Sequence, residues 1–172
     1  MQISVTSSEQ AQIQRFPWII TLGTPLIAVI LQSYVPIHLH FFSILDLPLL
    51  VTLVFSVARR SPVGGVFTGA IIGIMQDSLT HQPLGVFGIS KTVVGYLGSS
   101  LSLKLDVENP GSQFLMTLVF YVVHQGIYLF VARGLAEEAL QLNWGHLPIA
   151  AVINGLLAVP LFAALDKVKQ SA

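Results

Sequence analysis

Two charged side chains stand inside long apolar stretches of this sequence, where a charge needs a partner or a function. Asp77 lies near the end of the stretch that begins at Pro62, and Lys91 lies inside the next one. A charge at the centre of a membrane-spanning helix costs roughly 2.5–3.5 kcal/mol, so such residues usually pair or line a functional site. If the two stretches are antiparallel helices, Asp77 and Lys91 lie within reach of each other, and we predict an ion pair.

Two other interpretations of Asp77 and Lys91 stay open at this stage. Both side chains could extend outward to the lipid headgroups, because long charged side chains keep their polar ends in water. Alternatively, either one could contact a ligand or a partner protein directly.

Further polar residues interrupt the apolar stretches, namely Gln32, Asp46, Gln76, His124 and Asn154. Asp46 precedes Leu47-Pro48, which favours a kinked or late-starting first turn of a helix. His124 could relay protons or bind a metal, but an interhelical hydrogen bond is the simpler role. Asn154, which precedes a glycine, is typical of a helix–helix contact. We therefore predict structural roles for these residues, with no catalytic group, metal or cofactor.

Glycines mark the faces on which the two charge-bearing stretches should pack. Gly65, Gly69 and Gly73 recur at every fourth residue, and Asp77 continues the series. The next stretch carries Gly88, Gly95 and Gly98 around Lys91, and Pro83 and Gly85 form the turn between the two stretches. Small residues at this spacing allow two helix backbones to approach closely. We predict a tight antiparallel helix pair.

The composition places these stretches in a membrane. The chain has 172 residues, of which 53% are hydrophobic and only 9% charged, and its mean hydropathy is +0.77. Soluble domains carry about 25% charged residues, and a spanning helix needs about 20 apolar residues. We predict an all-α membrane protein with about six spans at 17–34, 41–58, 62–79, 84–103, 113–132 and 147–165. The domain organisation is a tail at 1–16, a membrane domain at 17–165 and a tail at 166–172.

Several function classes are disfavoured by the same sequence. It has no cysteine, so disulfides and thiolate chemistry are excluded. Its net charge is zero, which gives no electrostatic footprint for nucleic acid. It has no G-x-S-x-G elbow, P-loop, H-E-x-x-H motif or paired-carboxylate signature. We predict a protein that is not an enzyme.

Lysine and arginine positions give the orientation. With the N-terminus in the cytoplasm, six basic residues face the cytoplasm, namely Arg15, Arg59, Arg60, Lys104, Lys167 and Lys169. Arg133 alone would face outward, and basic residues favour the cytoplasmic side. We predict that both termini are cytoplasmic. The connector from Arg133 to His146 resembles a short amphipathic helix lying at the interface.

The stretch from Asp46 to about Gly98 resembles the rod shape-determining MreD family of bacterial inner-membrane proteins. The resemblance is carried by an aspartate at the second span, by Arg59-Arg60-Ser61-Pro62, by a glycine-rich third span ending in Gly73-Ile74-Met75-Gln76-Asp77, by Pro83-Leu84-Gly85 and by Gly95-Tyr96. The family's aspartate is often preceded by proline, whereas here Pro48 follows it. Spans 1, 5 and 6 match only in hydropathy.

The resemblance implies a non-catalytic component of the cell-elongation machinery in the inner membrane. Its partners would be MreC, the elongation transpeptidase and glycosyltransferase, and indirectly the actin-like MreB. It would scaffold or regulate lateral peptidoglycan synthesis. The family is also similar in fold to the substrate-binding subunits of energy-coupling-factor vitamin transporters.

That fold similarity keeps an alternative function open, a substrate-binding subunit of a small-molecule transporter. A polar cavity near the outer end, lined by Asp77, Lys91, His124 or Asn154, would favour it. A filled interior would count against it.

Overall fold

The computed structural model describes residues 16–80, 82–134 and 145–168. Within them lie six α-helices and one 3₁₀ segment at His40–Ile44. The helices are α1 at Trp18–His38, α2 at Leu47–Arg59, α3 at Pro62–Thr80, α4 at Val86–Leu101, α5 at Pro110–Gly134 and α6 at His146–Asp166. The predicted N-terminal tail up to residue 15, and residues 135–144 of the predicted interfacial helix, lie outside the described residues.

The described chain is an all-helical membrane protein. Four segments are long and apolar enough to span a bilayer, namely Trp18–His38, Phe41–Arg59, Pro110–Gly134 and His146–Asp166. The other two helices, α3 and α4, have 19 and 16 residues and carry the glycines and charges described above. Those residues lower the hydropathy of α3 and α4. Whether these two also cross the bilayer stays a prediction.

Helix α2 forms the centre of the bundle. Every residue from Pro48 to Ala58 is buried, and the helix packs against each of the other five. The predicted late start of the second helix is confirmed, because the 3₁₀ segment leads through Leu45 and Asp46 before α2 begins at Leu47. Arg60 ends α2 in the left-handed conformation, with φ of 48°, and α3 begins two residues later at Pro62.

Around α2, neighbouring helices pack in antiparallel pairs. The closest pair is α3 with α4, followed by α5 with α6. Among the described elements, helix α1 packs against α2, α3 and the 3₁₀ segment, and much of its apolar surface is exposed. Polar side chains from four other helices, Gln32, Lys91, His124 and Asn154, meet where α2 begins.

Candidate functional site

The start of α2 lies deep in the bundle. The residues that bind the backbone there are Gln32, six residues before the end of α1, and Asn154, eight residues after the start of α6. At 1.5 Å per residue these positions lie about 9 Å and 12 Å from the helix ends. Non-helical backbone at such a depth needs internal hydrogen bonds, because lipid offers none.

Gln32 supplies two of these bonds from α1. Its Nε2 donates to the carbonyl oxygen of Leu45 at 2.8 Å, and its Oε1 accepts from the N–H of Leu47 at 3.1 Å. One amide side chain thus satisfies a carbonyl and an N–H on either side of Asp46.

Asn154 supplies the matching bonds from α6. Its Oδ1 accepts from the backbone N–H of Asp46 at 2.9 Å, and its Nδ2 donates to the carbonyl of Ile44 at 2.8 Å. The side chain is fully buried and also donates to the carbonyl of Ala150. Gln32 and Asn154 therefore hold the non-helical backbone before α2 from two different helices. The sequence indicated a helix–helix contact for Asn154. It did not indicate the bond to the backbone of Asp46, which is 108 residues away.

The Asp46 carboxylate caps α2 and holds the main charge of the site. Its Oδ1 accepts from the N–H of Leu49 at 2.9 Å, the usual N-cap bond. Lys91 Nζ lies 3.1 Å from Oδ1 and 3.0 Å from Oδ2. The lysine side chain is fully buried, and that of Asp46 is 14% exposed. This buried ion pair ties α4 to the centre of the bundle.

His124 completes the site from α5. Its Nε2 lies 3.1 Å from Lys91 Nζ, and its side chain is 1% exposed. An ammonium group only donates, so Nε2 accepts and a neutral His124 carries its proton on Nδ1. That Nδ1 lies 3.7 Å from Asp46 Oδ2 and has no hydrogen-bond partner among the described residues. The ring of Phe87 packs beside both cation and imidazole, 5.0 Å from Lys91 Nζ and 6.1 Å from the His124 ring.

The predicted Asp77–Lys91 pair is wrong. The Asp77 carboxylate is fully buried and accepts backbone N–H bonds from Gly85 at 2.8 Å, Phe87 at 2.9 Å and Gly88 at 3.1 Å. These N–H groups begin α4, where a helix has no acceptors of its own and favours a negative charge. Asp77 thus caps α4 from α3, and Lys91 turns toward Asp46.

The predicted turn residues serve this cap. Gly85 adopts a φ of +104°, a conformation that side chains disfavour, and its N–H donates to Asp77. Pro83 accepts from the N–H of Val86 at 3.3 Å in the same turn. Gln76, next to Asp77, is buried, and within the part of the chain that the structure describes its Oε1 has no hydrogen-bond partner.

The glycine face of α3 lies directly against the backbone of α4. A Cβ at Gly65 would meet the Gly95 carbonyl, and one at Gly69 would meet the Lys91 carbonyl. At Gly73 a Cβ would lie 2.6 Å from the Cα of Gly88. No side chain fits at these positions, so the glycines set the distance between the two helices.

The glycines of α4 differ in how closely they are packed. A Cβ at Gly88 would meet Ile74 of α3 at 3.2 Å, and one at Gly95 would meet the Gly65 carbonyl. Gly98 faces α2 instead, where a Cβ would lie 3.5 Å from Leu53, an ordinary contact. Gly98 is therefore the least constrained of the predicted packing glycines.

The sequence marked the residues of this site but did not show which of them bind each other. Asp46 was marked by its place before Leu47-Pro48, and His124 by its place inside an apolar stretch. Helical periodicity relates residues on one helix or on a helix and its neighbour. It does not show that α2, α4 and α5 meet at one point. Within the described residues, no group of three or more His, Asp or Glu side chains is arranged to hold a metal ion.

Comparison with known families settles the relationship. The family described as rod shape-determining protein MreD matches residues 12–169. The chain belongs to the MreD family. No curated protein and no solved structure matches it. As a member of this family it is a multi-pass membrane protein with a role in determining rod shape.

Proposed function

We propose that this chain is a non-catalytic scaffold or regulator of lateral peptidoglycan synthesis in the bacterial inner membrane, acting with MreC. Membership of the MreD family over residues 12–169 is the observation that supports it most. The interior supports it as well, because Asp46, Lys91 and His124 bind one another and hold helices rather than facing an open site.

The proposed topology has six spans with both termini in the cytoplasm. Helices α3 and α4 would span together, since α3 exposes an apolar face that includes Val63, Phe67 and Ile71. Asp77 and most of their glycines lie between the two helices, and Lys91 is turned inward to Asp46. Six spans of this size would give a compact bundle like that of the vitamin-transporter subunits.

A partner would meet this protein through the faces of its spans or through its outer connectors. The turn between α3 and α4 is the best-defined outer connector, because Asp77 fixes it through three backbone bonds. Leu84 at its tip is 75% exposed. We propose that this turn contacts MreC.

Affinity purification from gently solubilised membranes tests the proposal. The wild-type chain should recover MreC and the elongation transpeptidase. Leu84→Glu should lower the recovery of MreC severalfold, whereas the matched control Leu39→Glu, at an exposed site on the first outer connector, should not. Equal recovery with both variants would move the contact away from this turn.

The transporter alternative predicts a different result from the same experiment. Recovery of an ATPase module without MreC would support it and contradict the scaffold function. The burial of Asp77, Lys91, His124 and Asn154, each at most 1% exposed, weighs against a substrate site formed by these side chains.

A further inference from the structure

A groove on the lipid-facing side of the bundle separates α1 from α6. Both helices flank α2, yet in the described residues no Cα of α1 lies within 8 Å of a Cα of α6. The space between them has a volume of about 220 Å³. One face of residues 24–31 forms one wall, Leu47 and Val51 form the floor, and Leu161 forms part of the other wall.

The lining of the groove is almost entirely apolar. Of the described residues that line it, Thr24 alone has a polar side chain, and the others are aliphatic. An apolar cavity of about 150 Å³ in a protein interior stays dry and binds benzene, so this larger groove favours hydrocarbon over water. The wall from residue 24 to residue 31 is ~10 Å long at 1.5 Å per residue. A volume of about 220 Å³ over that length gives a mean cross-section of about 22 Å², which suits one extended hydrocarbon chain and is smaller than that of a helix about 10 Å across.

The groove is bordered by three segments that are long and apolar enough to span the bilayer. Hydrocarbon chains are the solvent at that depth, so a lipid reaches the groove sideways without leaving the membrane. Helix α1 is also the least buried of the four such segments, with 17% of its apolar 18-residue stretch buried inside the bundle. A chain in the groove would contact α1, α2 and α6 together and fill the space that protein side chains leave.

We propose that the groove between α1 and α6 binds one acyl chain of a membrane phospholipid, which completes the packing of α1 onto the bundle. The site is independent of the proposed contact with MreC, and it would remain if that function proved wrong.

Photocrosslinking tests the site in the purified full chain. The protein is reconstituted in vesicles of phosphatidylethanolamine and phosphatidylglycerol that contain a trace of phospholipid with a diazirine in mid-chain. Crosslinks should reach Leu47 and Val51, which lie behind α1, severalfold more often than Leu115 and Val119 on the outer face of α5. Equal labelling of both sets would mean ordinary surrounding lipid and would overturn the proposal.

Filling the groove provides the second arm of the test. Ile27→Trp and Thr24→Phe each place a new ring in the groove, and each should lower crosslinking at Leu47 and Val51 severalfold. The control Leu22→Trp adds a ring on an exposed face of α1 outside the groove lining and should leave it unchanged.

Stability gives a readout that does not depend on crosslinking. Added phospholipid should raise the melting temperature of delipidated wild-type protein, and Thr24→Phe should reduce that rise. An equal rise in wild type and both filling variants, or crosslinks from the groove to a second protein chain instead of lipid, would contradict the proposal.

Discussion

At the scale of single residues, Asp46 is the most connected polar group in the bundle. Its carboxylate caps α2, pairs with Lys91 and lies next to His124, while its backbone N–H is held by Asn154. A buried ion pair is not in itself evidence of stability, because both charges lose their hydration. Its value here is that it fixes three helices at one point.

Neutralising one member of the pair should therefore be costly. Lys91→Met leaves the Asp46 charge buried with no cation, and removal of one partner from a buried pair costs about 3–5 kcal/mol. Asp46→Asn keeps an oxygen that can cap α2. The double variant should be more stable than the sum of the two single losses predicts, as measured by unfolding in mixed micelles with SDS.

A second cycle, with Asp77→Asn in place of Asp46→Asn, serves as the control. Because Asp77 is bonded to the backbone of α4, its coupling to Lys91 should be the smaller of the two. Stronger coupling of Lys91 to Asp77 than to Asp46 would show that the pairing described here is wrong.

At the scale of helices, the contact between α3 and α4 rests on glycine. Gly65, Gly69 and Gly73 lie against the α4 backbone, where a side chain of any size would collide. This contact also sets the position of Lys91, whose carbonyl faces Gly69. A change in the distance between α3 and α4 should therefore also move Lys91 relative to Asp46.

Gly69→Val should push α3 away from α4 and destabilise the bundle. Overpacking a filled site costs about 1–3 kcal/mol. The cost at Gly69 should be at least that large, because the added side chain would meet backbone atoms of α4. Gly126→Val is the matched control, because it makes the same change in α5 where no described atom outside the local helix lies within 4 Å of an added Cβ. SDS unfolding that shifts equally for both variants would contradict the close packing of α3 and α4.

The sequence predicted the helices better than the contacts between them. The spacing of glycines in α3 and α4 indicated which faces meet, because a four-residue period stays on one helix face. The partner of Lys91 could not be read in the same way. Asp46 is 45 residues from Lys91 and lies on a non-neighbouring helix, so only the packing of α2 at the centre brings the two together.

At the scale of the whole molecule, the site around Asp46 and the Asp77 cap both lie toward the end of the bundle at which α2 and α4 begin. The predicted orientation places the start of α2, the Asp77 cap and Lys91 in the outer half, and Arg59, Arg60 and the end of α6 on the cytoplasmic side. The basic residues support this orientation, since they collect at the cytoplasmic ends of spans.

Single cysteines test the orientation directly, because the chain has none of its own. In intact spheroplasts a membrane-impermeant maleimide should label Leu39→Cys, at the predicted outer side. It should label Lys104→Cys, at the predicted inner side, only after the membrane is opened. The reverse pattern would invert the topology.

We predict that the Asp46–Lys91 pair holds the bundle in the form required for rod shape. The most direct measurement is cell shape in a rod-shaped bacterium whose own MreD has been replaced by this chain, with membrane levels measured for each variant. Wild type should give rods, Asp46→Asn and Lys91→Met should each give rounded cells, and the double variant should restore rods in part. Normal rods with both single variants at wild-type levels would contradict the claim.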